Sequence, residues 1–295
     1  MRIAIPVATT IDLAYNQRSA PAYHSAVTRS GGEPVAVDIT LSPSEILTLA
    51  ATCDGILLPG SPADVDPALY GAERDPATAR ADPPREAADF LLLDHAAATG
   101  KPVLCICYGM QSLNVWRGGS LIQDLTPLPV NHEAGSKVAI AHTALIAPDS
   151  LLASLLTPEE APRSGDFLRL PINTSHHQSI AAPGDGLRIV ARCPDDGVIE
   201  AVELDPSAQL SAPDAWPSTP PVEPTAPPEL FHVEQSASVT TPNLKLFHVE
   251  QFLLAVQWHP ERSYDISPAS RALFARLIEE ARTYSLARNE FVTKT

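Results

Sequence analysis

Basic side chains are scarce in this sequence: 20 Lys and Arg stand against 35 Asp and Glu, a net charge of −15 over 295 residues. A surface of that sign repels phosphate backbones and anionic headgroups, so neither nucleic acid nor a membrane is expected as a partner. Long apolar runs are missing as well. None approaches the roughly 20 residues that cross a bilayer, and residues 1–8 are too short for a signal-peptide core and lack a cleavage-like tail. Cysteine is limited to Cys53, Cys105, Cys107 and Cys193. Their spacing fits neither a disulfide framework nor a paired CxxC zinc site. A cytoplasmic chain with free thiols is the expectation, and it leaves one thiol available for chemistry.

Hydrophobic residues are plentiful at 44%, enough for a sizeable core. Short apolar runs alternate with helix-length amphipathic segments, a pattern that argues for a mainly parallel sheet covered on both faces. Strands are predicted at 2–8, 34–38, 55–59 and 102–106, with helices at 20–30, 43–51 and 84–99. Ser42-Pro43 is an N-cap followed by proline at the first helical position. Another helix is expected after Cys107, stopping at Gly118-Gly119. Further strands are read at 139–147, 187–191 and 198–204, and a closing helix at 267–285.

One segment breaks this order. Residues 207–251 are rich in proline, which opposes both helix and ladder, and Leu-Phe-His-Val-Glu-Gln occurs twice, at 230–235 and 246–251. The expected organisation is one domain over 1–285, interrupted by this disordered insertion and followed by a tail at 286–295. The repeat reads first as a duplication within a surface loop, then as a pair of partner-docking peptides, and last as metal binding by His232 and His248. Long surface insertions cost little closure entropy, so replacing 208–250 by a short turn is expected to spare the fold.

The strongest chemical signal is Lys-Pro-Val-Leu-Cys-Ile-Cys-Tyr-Gly-Met-Gln at 101–111. An apolar strand runs into Cys107-Tyr108-Gly109 and then a helix, the arrangement of a nucleophile elbow with Cys in place of Ser. The helix N-terminus favours a thiolate, Gly109 permits close backbone packing, and the Tyr108 N–H can donate to an oxyanion. Cys105, inside the apolar run, reads as core. A second apolar strand ends in His259-Pro260-Glu261, where the imidazole can exchange a proton with the thiol and the carboxylate can orient the ring.

These residues carry a resemblance. The chain resembles class I glutamine-amidotransferase-like hydrolases, in particular the γ-glutamyl-γ-aminobutyrate hydrolase branch of the γ-glutamyl hydrolase type cysteine peptidases. The likeness extends to Gly31-Gly32-Glu33-Pro34-Val35, to Asp54 through Val65 with its Pro59-Gly60-Ser61-Pro62 loop, and to the helix at 85–94. It continues through Ile172-Asn173-Thr174-Ser175-His176-His177-Gln178 and the strand at 198–203. The resemblance implies a flavodoxin-like sheet and hydrolysis of a small γ-glutamyl amide through a glutamyl-thioester, with Cys107, His259 and Glu261 as triad. It implies backbone oxyanion donors at Tyr108 and at Gly60 or Ser61, and no metal or cofactor. Where this branch often carries Arg, residue 108 is Tyr, so a different leaving amine is expected if that position meets it.

Gln111, His176 and Gln178 are further candidates for substrate contact. Helix packing is an equal reading for Gln111, and a satisfied structural ring for His176. Adjacent His176-His177 is poor metal-ligand spacing because strand neighbours face opposite ways. His132 and His142 have no legible context. Two other functions stay open: a glutaminase subunit handing ammonia to a synthase partner, and a non-catalytic binding protein that kept the fold. A homo-oligomer is compatible with the sequence.

Overall fold

Runs of four or five apolar residues bounded by turn formers become the central strands of the protein, seen in a computed structural model that describes residues 1–126, 128–212 and 251–292. Strands β1 (Arg2–Pro6), β2 (Glu33–Val37), β3 (Gly55–Leu58) and β4 (Val103–Ile106) lie within a residue or two of their expected places. The sheet continues with β6 (His142–Ile146), β7 (Arg163–Ser164), β8 (Phe167–Ile172), β10 (Leu187–Arg192), β11 (Ile199–Leu204) and β12 (Leu253–Val256). A separate ribbon pairs β5 (Ser120–Ile122) with β9 (Ser179–Ala182). Strand order is β2-β1-β3-β4-β12-β11-β10-β6-β8-β7. The first five strands are parallel, and the other five extend the sheet as an antiparallel wing.

β3, β4 and β12 are buried at every residue, as strands covered on both faces must be. Their side chains alternate between two cores. Leu57, Leu104, Ile106, Leu254 and Val256 join one, packed by helices α1 (Leu13–Arg29) and α6 (Pro268–Val292). Ile56, Leu58, Val103, Cys105 and Ala255 join the other, packed by α2 (Pro43–Ala51), α3 (Pro83–Thr99) and α4 (Tyr108–Trp116). A short helix, α5 (Leu151–Ser154), follows β6. Cys105 is thus a core thiol, and burial pushes its pKa well above the ordinary range.

Several boundaries move. α1 begins at Leu13 rather than 20, because the Asp12 carboxylate caps it by accepting from the Tyr15 N–H at 2.9 Å, and Pro21 sits inside the helix rather than at its start. α6 runs to Val292, so the expected tail at 286–295 is helical through most of its length, with Arg288 reaching Asp54 at 3.2 Å. The Ser42 cap is as expected, closed by Glu45 into a capping box. Among the described residues no helix is long and apolar enough to cross a membrane.

The edges of the expected insertion belong to the packed fold. Leu210 is buried against the second core, and the Arg117 guanidinium donates to the Ser211 carbonyl. On the return, the Gln251 amide donates to the carbonyls of Ala96 (3.0 Å) and Lys101 (2.7 Å). Residues 213–250 lie outside the described part, and with them the first hexapeptide and all but Gln251 of the second. A replacement spanning 208–250 would therefore remove a core residue. Leu210→Ala is expected to cost about 2–4 kcal/mol of unfolding free energy by the cavity it leaves. Urea denaturation measures this, and an unchanged midpoint would contradict the packing described.

Candidate active site

The carboxyl ends of two neighbouring parallel strands, β4 and β12, converge on one spot, the crevice where open α/β sheets present their ligands. β4 ends in Cys107, which caps α4 with φ +53° and ψ −109°, the one non-glycine residue with positive φ among those described. Such a sparsely populated backbone costs of order 1–3 kcal/mol, and it turns the chain from strand to helix at the thiol-bearing residue. The turn is held by hydrogen bonds from Cys107 N to Val256 O (2.8 Å) and from Met110 N to Cys107 O (2.9 Å). Gly109 is required by space: a Cβ there would lie 2.4 Å from the Leu58 carbonyl oxygen.

β12 leads through Gln257 and Trp258 to His259, whose Nδ1 is 2.8 Å from Glu261 Oε1. His259 Nε2 is buried and has no hydrogen-bond partner. A Cβ on Gly60 would meet His259 Cε1 at 2.9 Å and Cys107 Cβ at 3.6 Å, so ring and thiol meet over that glycine. Burial opposes charge on His259, but the Glu261 carboxylate and the Cys107 thiolate outweigh it and raise its pKa to about 9. Glu261 is held low against its own burial by the His259 cation. The arrangement holds a charged imidazolium beside the Cys107 sulfur, where ring and thiol can exchange a proton.

Supporting side chains fix each part. Asn173 accepts from His259 N and donates to His259 O, both at 2.8 Å, clamping the backbone of that one residue. Gln257 Nε2 donates to the Cys107 sulfur at 3.5 Å. Fully buried Arg85 pairs with Asp89 at 2.7 Å, donates to the carbonyls of Ala8 (2.8 Å) and Pro59 (2.6 Å), and lies 4.8 Å over the Tyr108 ring. It thereby braces the loop that starts at Gly60. None of these roles was visible in the sequence. Asn173 stood in a segment that shares the family likeness, and Gln257 two positions before His259, but only folding shows where their amides point.

The other sequence candidates fall unevenly. A Cβ on Gly60 would lie 3.6 Å from the Cys107 Cβ, but the Gly60 N–H donates to the Tyr23 phenol oxygen at 3.0 Å, and the next residue, Ser61, turns its hydroxyl to accept from the Ala63 N–H at 3.1 Å. The Tyr108 amide starts α4, while its side chain is buried in the core beneath Arg85, so the position does not face the opening through its ring. Gln111 Nε2 donates to Gln178 O (3.0 Å) and Gln257 Oε1 (3.3 Å), which makes it a brace for Gln257. Gln178 donates its side-chain amide to Gln123 O at 3.1 Å. His176 places Nε2 3.9 Å from Glu200, and the neighbouring His177 ring lies 3.0 Å from Asp64.

Asn173→Ala is expected to lower kcat about 100-fold, since misplacing a reacting group by 1 Å costs on that order, with KM little changed and the fold retained. Steady-state kinetics beside circular dichroism measures it; a wild-type kcat would show that His259 needs no clamp.

The Peptidase C26 family model matches residues 7–212, which include Cys107 and stop before His259 and Glu261. A Mycobacterium tuberculosis protein provisionally named a glutamine amidotransferase is 32% identical over 267 residues, 89% of this chain and 67% of that one. A γ-glutamyl-γ-aminobutyrate hydrolase of Escherichia coli K12 is 33% identical over 191 residues, 62% of this chain and 71% of its own length. Among solved structures, a Thermoplasma acidophilum protein provisionally assigned as part of a GMP synthase superposes with a TM-score of 0.56 at 12% identity, covering 98% of both chains, a likeness of fold alone. The extent of the family match, joined to relatives above 30% identity along most of the chain, makes this protein a member of the peptidase C26 family of class I glutamine-amidotransferase-like cysteine hydrolases and amidotransferases.

Proposed function

We propose that the chain hydrolyses γ-glutamyl amides, substrates like γ-glutamyl-γ-aminobutyrate, through a thioester on Cys107. The observation that carries this reading is the left-handed elbow at Cys107 meeting a buried His259–Glu261 pair over Gly60. The likeness to a hydrolase of that substrate class supports the choice of bond.

In this scheme the Cys107 thiolate attacks the δ-carbonyl carbon. The oxyanion forms against the Tyr108 and Ser61 amides, and against Gly60 once its N–H leaves the Tyr23 oxygen. Preorganised donors of this kind each contribute about 3 kcal/mol to the barrier reduction. His259, protonated at the outset, gives its proton to the departing amine as the C–N bond breaks. The neutral ring then takes a proton from water, which attacks the thioester and releases glutamate and the thiolate. Glu261 keeps the ring oriented and stabilises its charged form. Glutamate release from a panel of γ-glutamyl amides tests the bond and ranks the amines. Release of ammonia from glutamine only in the presence of a synthase would favour the amidotransferase alternative.

Two further outcomes are expected. Cys107→Ala should abolish glutamate release with the fold intact, while Cys105→Ala should stay active; the reverse pattern would move the nucleophile. Because the pKa of His259 is raised from 6.5 to about 9, the protonated ring stabilises the folded state fully below about pH 6.5, and that contribution is lost as pH rises through about 9. Loss of the general acid over the same range should give kcat/KM an alkaline limb near pH 9. Glu261→Gln should shift that limb downward; a limb unmoved by the substitution would remove Glu261 from the proposal.

A further inference from the structure

On the antiparallel side of His259, three imidazoles close on one carboxylate. Glu200, in β11, places Oε1 3.4 Å from His132 Nδ1, 3.5 Å from His142 Nε2 and 3.9 Å from His176 Nε2. None of these approaches is a hydrogen bond: the three inward ring nitrogens and both Glu200 oxygens are buried without a partner. Stranding one buried polar atom is unfavourable; five around one point is a specific arrangement in search of a centre.

The outward nitrogens fix the tautomers. His132 Nε2 lies 2.9 Å from Asp196 Oδ2, His176 Nδ1 2.9 Å from Gln178 O, and His142 Nδ1 3.3 Å from Thr143 O. Ionised carboxylates and carbonyls only accept, so each outward nitrogen carries the proton, and a neutral ring then turns a lone pair inward. Three lone pairs facing a carboxylate repel one another unless a cation lies between them. A proton on one ring, or on Glu200, would satisfy only one of the three contacts. The other two rings would still present lone pairs to Glu200.

Spacing separates a metal from a mere charge. Tetrahedral zinc bonds of about 2.0–2.1 Å put ligand atoms roughly 3.3 Å apart, close to the 3.4 and 3.5 Å found for two of the three contacts. We propose that His132, His142, His176 and Glu200 form a closed site for a divalent transition-metal ion, zinc by the character of its ligands. Three imidazoles and one carboxylate suit zinc and disfavour calcium or magnesium, which take oxygen shells. His132, His142 and Glu200 already stand at ligand spacing, and a small inward shift of His176, now 3.9 Å from Glu200, completes a four-ligand shell with no open position, so the ion would be structural. Asp196 behind His132 is the orienting carboxylate that metal-bound imidazoles commonly have.

The site would tie together β6, β11 and the loops carrying His132 and His176. The latter two are already joined, since the His132 carbonyl accepts from Thr174 Oγ1 (2.8 Å) and His176 N (2.9 Å). The same loop holds Asn173, the clamp on His259, and the Glu200 carbonyl accepts from Gln257 N at 2.8 Å. A second grouping, His132 with Cys193 and Asp196, shares the outward His132 nitrogen, but that nitrogen is already committed to Asp196.

The test is metal content of the full, untagged chain, expressed with zinc, dialysed and measured by plasma mass spectrometry, with cobalt substitution as the geometric probe. One zinc per chain and a tetrahedral cobalt spectrum are expected. Glu200→Gln and His142→Gln should each lower the bound metal at least tenfold, while Cys193→Ser and Cys107→Ala should keep it. Should either ligand variant fail to fold, Asp196→Asn leaves all four ligands in place and should weaken zinc binding about 10–100-fold. A wild-type chain that takes up no stoichiometric zinc would overturn the site, as would an ion retained by Glu200→Gln and lost from Cys193→Ser.

Discussion

A single left-handed residue organises the centre of this molecule. Cys107 could not hold φ +53° in an isolated peptide without a penalty of order 1–3 kcal/mol, and the surroundings over-determine it. β12 takes its N–H, the first turn of α4 takes its carbonyl, and Gly109 lets that helix seat against Leu58. Arg85 then joins the loop after β3 to the Tyr108 ring from beneath, with its charge balanced by Asp89. Removing the strain by letting the residue relax into the strand would bury the thiol in the core, where Cys105 already sits. The chemistry and the backbone geometry are therefore one constraint.

The two halves of the sheet divide the remaining work. The parallel half supplies the elbow and, through β12, the ring of His259. The antiparallel wing supplies the groups that keep this ring in place. Asn173 follows β8, and β11 hydrogen-bonds to Gln257 as that residue reaches for the sulfur. A charged histidine buried to 1% exposure is tolerable only because Glu261 lies at 2.8 Å in the same low-dielectric surroundings. The pair raises one pKa and lowers the other, which keeps both ionised at neutral pH.

Much of this was legible beforehand, for physical reasons. Strands buried on both faces are continuous apolar runs, so β1 to β4 announced themselves, and the elbow could be read from a strand running straight into Cys-Tyr-Gly. β8 carries Arg169 and Pro171 within it, and β9 is four residues with two exposed, so neither has a run to notice. α1 was cut short at residue 20, whereas the real start is set by the Asp12 side chain, which caps the helix seven residues earlier and leaves Pro21 inside it. The His132, His142, His176 and Glu200 cluster was illegible because its members come from four separate segments. Only the pairing of β6 with β10 and of β10 with β11 brings them together. Gln111 and His176 were picked out by position in the chain, which says nothing of where a side chain turns.

Hydrolysis through Cys107 requires a covalent intermediate at that one sulfur. Rapid quenching of the full chain during turnover of a γ-glutamyl anilide, followed by intact mass and peptide mapping, reads it directly. The expected result is a gain of one glutamyl unit on Cys107, absent from Cys107→Ala. Turnover with no adduct at any stage, or an adduct mapped to a residue other than Cys107, would contradict it.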